Sequence, residues 1–330
     1  MGRRPLRAGR LKVIMNHVAY FFASGDAFHA GTLLALLAVG IGEFRFKQVD
    51  VSQPSVRNRL ANLLPRWSVF CGLLLIILSA VPLPLWIAAS FGPVIVFRVM
   101  ALRGETQDRK SHVRRASRCL ALSLVMAIVV DEWDVRSLNR NRPVPNDSIV
   151  VLGDSLSAGM GEPLAHLWPD RLSDRLNVIV TNLAQPGAMV KEAISQARFI
   201  PPNNSATVLI EIGGNDLLSG RPAHVFEAEL EELLQQLRRA DRRLVLLELP
   251  LPPFCQSYGR VQRDLARKYG AALIPRRRWA GVIFSDRATV DGLHFSVRGH
   301  QRMSEMVGTF LAEIHARPMA STTGIDSHVQ

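Results

Sequence analysis

Apolar and polar positions follow different patterns in the two parts of this chain. From residue 148 onward, short apolar runs of strand length alternate with longer segments in which apolar residues recur at helical spacing. The predicted strands are Ser148–Leu152, Val178–Leu183, Thr207–Ile212, Leu244–Leu249 and Ala271–Pro275, and the predicted helices are Trp168–Leu176, Met189–Phe199, Pro222–Ala240, Val261–Tyr269 and Val297–His315. Apolar strands between helices of this length predict an α/β domain, a parallel sheet with helices on both faces.

The longest apolar run lies earlier in the chain, between Trp67 and Leu102, and Arg98 is its only charged residue. It is too long for one membrane span, because a bilayer core is crossed by about 20 helical residues. Pro82 and Pro84 interrupt it near the middle, where proline would break a helix. The run therefore predicts two shortish transmembrane helices joined by an uncharged turn.

Two shorter apolar runs, Phe28–Gly42 and Cys119–Val130, are further candidate spans. The second is only marginally long enough, although basic residues precede it and acidic residues follow it. The alternative for such runs is a buried helix in a globular core. That alternative stays open chiefly for Cys119–Val130.

Charge separates the same two parts of the chain, whose net formal charge is +12. Residues 1–130 contain 17 Lys and Arg against 5 Asp and Glu, whereas residues 131–330 contain 23 of each class. The basic segments 3–12, 45–66 and 103–118 adjoin the apolar runs, as expected for cytoplasmic loops of a membrane protein. Membrane topology therefore explains the basic excess better than nucleic-acid binding, and no nucleic-acid partner is expected.

These patterns predict a membrane region with several transmembrane helices over residues 1–136 and a polar linker over 137–147. A folded domain is expected over 148–316 and a disordered tail over 317–330. If residues 103–118 are cytoplasmic and Cys119–Val130 crosses once, the protein is integral to the cell membrane and its domain lies on the non-cytoplasmic face. The number of spans, the orientation and the oligomeric state stay open.

Four short motifs stand at the ends of predicted strands or just before the last helix. They are Gly153-Asp154-Ser155, Gly187, Gly213-Gly214-Asn215-Asp216 and Asp291-Gly292-Leu293-His294. Parallel strands bring their carboxyl ends to one edge of a sheet, which is where α/β domains bind ligands. Each motif alone is compatible with a turn or a helix cap, but their joint occurrence in this order indicates a catalytic site.

The residue types in these motifs fit nucleophilic catalysis. A serine hydroxyl is a weak nucleophile and needs an adjacent base, which His294 can supply while Asp291 holds its tautomer. Glycine backbone N–H groups and the amide of Asn215 can stabilise an oxyanion. The predicted reaction is acyl transfer to water, which needs no cofactor, and no His or Cys cluster has metal-ligand spacing.

At these motifs the sequence resembles the SGNH or GDSL hydrolases, and among them the bacterial thioesterase, lysophospholipase and arylesterase branch. The resemblance extends from Ser148 to about Leu311 and is most specific in VVLGDSLSAG, EIGGNDLL and DGLHFS. It implies a flavodoxin-like three-layer fold. Two features depart from it: Phe295 stands where many relatives have proline, and the N-terminal region of about 130 residues has no counterpart in that branch.

The resemblance also assigns a role to each residue of the site. Ser155 is the implied nucleophile, His294 the general base and Asp291 the carboxylate that orients it. The implied oxyanion hole consists of the Ser155 N–H, the Gly187 N–H and the Asn215 Nδ2.

The leading hypothesis is a membrane-anchored serine esterase whose substrates are acyl esters, thioesters or lysolipids at the bilayer. A deacetylase or O-acetyltransferase of envelope polysaccharide is an alternative, and so is a catalytically silent binding module tethered to the membrane. The complete set of catalytic residues argues against the silent module. Several apolar residues could line an acyl pocket or simply pack the domain; these are Met160, Trp168, Met189, Leu217, Leu218 and residues 250–254.

Overall fold

The computed structural model describes residues 15–34, 37, 67–68, 70–72, 74–79, 81–82, 89, 148–160, 167–201 and 206–315. The predicted linker and tail, and most of the predicted membrane region, lie outside the described residues. Their boundaries therefore stay predictions. In the described part of the chain, the helices are too short or too polar to cross a bilayer.

Five parallel strands form the sheet of the domain. They are β1 (Ser148–Gly153), β2 (Ile179–Asn182), β3 (Thr207–Glu211), β4 (Arg243–Leu247) and β5 (Ala272–Ile274). Their order across the sheet is β2-β1-β3-β4-β5, and every neighbouring pair is parallel. This confirms the predicted parallel α/β architecture, and the order is that of the flavodoxin-like folds.

Helices cover both faces of the sheet. They are α1 (Ser155–Ala158), α2 (Trp168–Leu176), α3 (Val190–Ala197), α4 (Gly214–Leu218), α5 (Ala223–Leu237), α6 (Gln256–Tyr269), α7 (Arg276–Ile283) and α8 (Val297–His315). Helix α8 packs against α2 and α7, whereas α5 packs against α3 and α6. The domain therefore has three layers, and its sheet is the middle one.

The core lies between these layers. Strands β3 and β4 are buried along their whole length, as the continuous apolar runs predicted. Edge strand β2 is partly exposed, and Ile179 keeps 71% of its surface accessible. The buried strands therefore include β1 and β3, where the motifs begin.

Three helices were not predicted from the sequence. Helices α1 and α4 are single turns that follow the motifs directly, so they carry no helical periodicity of their own. Helix α7 begins with three arginines, yet it buries Trp279 and Val282 against the core. Tertiary packing thus decides its conformation where the local sequence does not.

Parts of the N-terminal region are also helical. Residues 15–23 and 26–34 form two helical segments separated by a turn at Ser24 and Gly25. A third segment is helical in its described positions between 67 and 78. In chain order, these three are the first, second and third N-terminal segments.

Candidate active site

The site lies where the strand order reverses. From β1 the chain moves outward to β2 and then returns to β3 on the other side of β1. The carboxyl ends of β1 and β3 therefore flank the crevice in which parallel α/β sheets bind ligands. Gly153 ends β1 opposite Glu211, which ends β3, so the first and third motifs start side by side.

Ser155 is the first residue of α1 and follows β1 across a turn of one residue. That residue, Asp154, caps the helix, because its Oδ1 accepts a hydrogen bond from the Leu156 N–H at 2.9 Å. Ser155 is half-buried. Its N–H meets no acceptor among the described residues, so it remains available to a ligand oxygen.

Gly187 stands in the loop between β2 and α3 with a φ of +75°, a conformation that glycine adopts without strain. The residue is exposed, and a Cβ added there would meet no atom within 4 Å. Within the described chain its N–H also has no acceptor. The structure thus leaves two unengaged backbone donors at this edge of the sheet.

Asn215 lies on α4 and connects the first two motifs. Its Nδ2 donates to the Ala188 carbonyl at 2.9 Å and to Asp154 Oδ2 at 3.2 Å. Both amide hydrogens are therefore engaged within the protein. Donation to a bound oxyanion would need one of these bonds to be exchanged or shared.

Asp216, the next residue, holds the same loop from behind. Its side chain is fully buried, and Oδ2 accepts from the Val190 N–H at 3.0 Å, at the start of α3. Arg221 Nη1 lies 3.4 Å from Asp216 Oδ1. Asn215 and Asp216 together fix the position of the loop that carries Gly187, a structural role that the sequence analysis did not assign to Asp216.

His294 and Asp291 form a close pair in the loop before α8. His294 Nδ1 lies 2.6 Å from Asp291 Oδ2, while Asp291 Oδ1 accepts from the N–H groups of Leu293 at 2.9 Å and His294 at 2.8 Å. The His294 imidazole and these N–H groups hold the pKa of Asp291 well below its ordinary value. The predicted pair is thus brought together.

Burial raises the pKa of Asp154, the neighbour of Ser155, and the charge of His294 opposes this rise. In the described chain no hydrogen bond joins the Ser155 hydroxyl to His294. Such bonds are often long in enzymes without substrate and shorten when substrate binds.

Two buried carboxyl groups lie beneath the Ser155 turn. Asp154 is 4% exposed and Glu211 is 1% exposed. Burial raises the pKa of Asp154 to about 6, and burial together with Asp154 raises the pKa of Glu211 well above its ordinary value. The sequence signal for this pair was a carboxylate at the end of the otherwise apolar strand β3, which the sequence analysis did not use.

Ser155 and Ser157 are both serines of the first motif, but they face different surroundings. Ser157 is fully buried, and its Oγ donates to Glu211 Oε2 at 2.7 Å. Ser155 is the one that stands at the crevice. The structure therefore places the predicted nucleophile at the surface of the site and ties its neighbour into the core.

The apolar residues considered for an acyl pocket differ in position. Trp168 is fully buried, and its backbone N–H donates to Nδ1 of buried His300 at 3.3 Å, so it belongs to the core. His300 is itself a buried residue of this core. In contrast, Met160, Leu218 and Phe254 are 55%, 67% and 71% exposed. They follow the nucleophile turn, Asn215 and strand β4 in sequence and give the edge of the domain an apolar rim.

The sequence between residues 151 and 302 matches the model of one protein family, the GDSL-like lipase/acylhydrolase family. The match covers slightly less than half of the chain, and this is the family that the motifs of the sequence resemble. The matched residues contain the nucleophile turn, the Gly187 loop, the Asn215 helix and the Asp291–His294 loop.

Individual relatives are distant. An arylesterase of Vibrio mimicus is 29% identical over 126 residues, which cover 36% of this chain and 62% of the relative, less than two thirds of its length. Thioesterase 1/protease 1/lysophospholipase L1 of Escherichia coli is 27% identical over 142 residues, covering 41% of this chain and 68% of the relative. The crystal structure of TesA aligns with a TM-score of 0.47 at 26% identity, over 51% of this chain and 99% of that one.

Proposed function

We propose that this chain is a membrane-anchored serine esterase that hydrolyses acyl esters or thioesters with Ser155, His294 and Asp291. The observation that supports the proposal is that the Ser155 and Gly187 N–H groups have no acceptor among the described residues, at the edge of the sheet where Ser155 follows β1. The Asp291–His294 pair is formed in the loop before α8. A nucleophile, a base and oxyanion donors are the parts that acyl transfer needs.

In the proposed first step, Ser155 Oγ attacks the carbonyl carbon and its proton passes to His294. The carbonyl oxygen becomes an oxyanion, which the Ser155 and Gly187 N–H groups and Asn215 Nδ2 stabilise. The carbon–oxygen or carbon–sulfur bond then breaks, and His294 returns the proton to the leaving alcohol or thiol. Water repeats the sequence on the acyl-serine and releases a carboxylic acid.

The Asn215 amide has a specific part in this step. The hydrogen that it donates to Asp154 in the free protein is the longer of its two bonds, at 3.2 Å. We assign this hydrogen to the oxyanion, since the bond to the Ala188 carbonyl keeps the amide in place. The stronger charge of the oxyanion favours this exchange in the transition state.

The substrate class follows from the apolar rim and from the relatives. Met160 and Leu218 are exposed beside the nucleophile turn and the Asn215 helix, which favours an apolar acyl or aryl group. The relatives are described as an arylesterase and as a thioesterase and lysophospholipase. Aryl esters, acyl thioesters and lysolipids are therefore the compounds to test.

Membrane anchoring is the second half of the proposal. It rests on the apolar runs Phe28–Gly42 and Trp67–Leu102 and on the net charge of +12, which the basic segments flanking those runs account for. We expect the full-length protein to stay in the membrane fraction after high-salt and carbonate washing. Release by salt alone would show attachment through surface charge instead.

The deciding experiment labels the full-length protein with a fluorophosphonate and measures hydrolysis of p-nitrophenyl butyrate. Ser155→Ala is expected to abolish both, since it removes the attacking oxygen. Ser157→Ala, two residues away, is the matched control and should keep labelling. Labelling that persists in Ser155→Ala and disappears in Ser157→Ala would move the nucleophile to the buried serine.

A further inference from the structure

The N-terminal segments contact the domain on two helices, α6 and α7. Gln256 Nε2 donates to the carbonyls of Ile77 at 3.2 Å and Ser79 at 2.8 Å, both at the end of the third segment. Arg277 Nη2 lies 3.2 Å from Asp26 Oδ1, at the start of the second segment. Polar side chains of the domain thus bind the ends of two different N-terminal segments.

Close packing reinforces these polar contacts. A Cβ added at Gly259 on α6 would lie 2.9 Å from the Pro82 ring, and one added at Gly25 would lie 2.9 Å from Arg276 Nη2. Gly25 also has a φ of +92°, which disfavours other residues. Two glycines, one on each side, therefore permit the approach of domain and N-terminal region.

A buried ion-pair network at Glu248 supports the domain side of this contact. Glu248 is fully buried, and its carboxylate accepts from Arg263 Nε at 2.7 Å and from the Arg276 backbone N–H at 3.0 Å. Arg276 Nη1 lies 3.6 Å from the same carboxylate. The Arg276 guanidinium that lies against Gly25 is thus held by a buried ion pair.

The second and third segments pack against each other as a hairpin. A Cβ at Gly31 would lie 2.5 Å from the Gly72 carbonyl and 2.9 Å from Leu75 Cβ, so the two helices approach closely at glycine. Asp26, which begins the second segment, and Ser79, which follows the third, both lie at the domain. The chain therefore leaves the domain along one segment and returns along the other.

One face of this hairpin is apolar and exposed. Trp67, Phe70, Leu74 and Ile77 are 60%, 56%, 44% and 57% exposed, at a spacing that places them on one side of a helix. Leu33 of the second segment is 57% exposed as well. Close helix contact at glycines together with an outward apolar face is the pattern of helices packed in lipid.

The position of the contact on the domain carries the inference. Gln256 and Gly259 lie in the first turn of α6, and Arg276 and Arg277 begin α7. Helices that follow parallel strands begin at the carboxyl edge of the sheet, which is the edge that carries Ser155. Neighbouring strands are about 4.8 Å apart, so the contact after β4 and β5 lies on the order of 10 Å from the crevice between β1 and β3.

We propose that the exposed apolar face of the second and third segments, formed by Leu33, Trp67, Phe70, Leu74 and Ile77, lies in the membrane interface and holds the active-site edge of the domain against the membrane surface. The acyl esters that the site hydrolyses are then lipids of the adjacent leaflet. Exposed Phe254, in the loop just before α6, and Leu218 lie on the same edge and face that surface. This inference rests on the membrane anchoring and esterase function proposed above.

The test undocks the domain without touching its catalytic residues. The full-length double variant Gln256→Ala/Arg277→Ala is compared with wild type in phosphatidylglycerol–phosphatidylcholine vesicles that contain palmitoyl lysophosphatidylcholine. The lysolipid rate should fall roughly tenfold, because the site loses its high effective concentration of membrane substrate. The rate on water-soluble p-nitrophenyl butyrate should stay unchanged.

Gln301→Ala/Arg267→Ala replaces the same residue types away from the contact and should change neither rate. A double variant that matches wild type on both substrates overturns the docking. If it loses both activities, the single exposed variant Arg277→Ala must show the selective loss, or the inference is wrong. Wild type that hydrolyses the soluble ester but not the lysolipid overturns the inference alone, whereas wild type inactive on both overturns the esterase function.

Discussion

Asp154 and Asp291 are two carboxylates of the candidate active site, and their surroundings are opposite. Asp291 sits in a surface loop with its side chain 52% exposed, and it is bonded to His294 and two backbone N–H groups. Asp154 is buried beside a second buried carboxyl, that of Glu211. The first environment favours the charged form and the second disfavours it.

The pKa values diverge accordingly. Hydrogen bonds from His294 lower the pKa of Asp291, whereas desolvation raises the pKa of Asp154 to about 6. Asp291 therefore stays ionised and can orient a base that becomes positively charged during the reaction. Asp154 instead holds neighbouring residues in position, because its carboxylate caps α1 and accepts a hydrogen bond from Asn215 Nδ2.

The largest effect is expected from removing the His294 imidazole, which influences the pKa of both carboxyl groups. His294→Ala should lower kcat roughly 10⁶-fold, as loss of the general base does in serine hydrolases. The pKa of Asp291 should rise, since its main hydrogen bond is gone. Steady-state hydrolysis of p-nitrophenyl butyrate measures the first effect, and NMR titration of Asp291 the second.

A loss of less than about tenfold would remove His294 from the role of base. His224→Ala is the control, because His224 is exposed and belongs to none of the four motifs, so this variant should keep full activity.

Asp291→Asn tests the ionised half of the comparison alone. It keeps the size of the side chain but can hold His294 in the wrong tautomer, so kcat should fall roughly 10⁴-fold, less than for His294→Ala. Asp286→Asn, in the same loop and exposed, should have no effect. Equal losses for Asp291→Asn and His294→Ala would mean that the carboxylate does more than orient the imidazole.

Asn215→Ala tests the proposed contact of the Asn215 amide, which donates to buried Asp154 in the free protein, with the oxyanion. It should lower kcat about 10²- to 10³-fold and leave KM nearly unchanged, because the amide bonds the oxyanion only in the transition state. Ser219→Ala, just after α4, is the matched control. A change in KM alone would reassign Asn215 to substrate binding in the ground state.

The sequence was sufficient for the fold because the strands are continuous apolar runs. The bounds predicted for α2 and α8 match the structure, and the five strands agree within two residues at each end. Three of the four motifs could be located because they follow strands, and the fourth because it precedes the last helix; the catalytic roles of their residues stay predictions. The order of apolar and polar residues does not specify the contacts between motifs, such as the 2.9 Å hydrogen bond from Asn215 Nδ2 to the Ala188 carbonyl.

The buried network escaped sequence analysis for a physical reason. Glu211 and Asp216 gain their roles only through partners that are distant in sequence, namely Ser157 and Val190. The start of α6 was placed at Val261 rather than Gln256 because QSYGR has no apolar stripe. Its polar residues are explained by the contacts of Gln256 with the N-terminal region.

Asp154→Asn has the smallest expected effect on rate and tests the buried carboxylate through stability. Folding raises the Asp154 pKa from 3.8 to about 6, so its contribution is fully favourable below pH 3.8 and is lost as the pH rises through 6. The shift corresponds to about 3 kcal/mol between those limits. Between pH 4 and pH 8, wild type should therefore lose stability relative to Asp154→Asn, which thermal unfolding of the full-length protein in detergent measures. Exposed Asp264→Asn is the control and should follow wild type. Parallel curves for Asp154→Asn and wild type would show that Asp154 keeps an ordinary pKa, and the contrast between the two carboxylates would then lose its buried half.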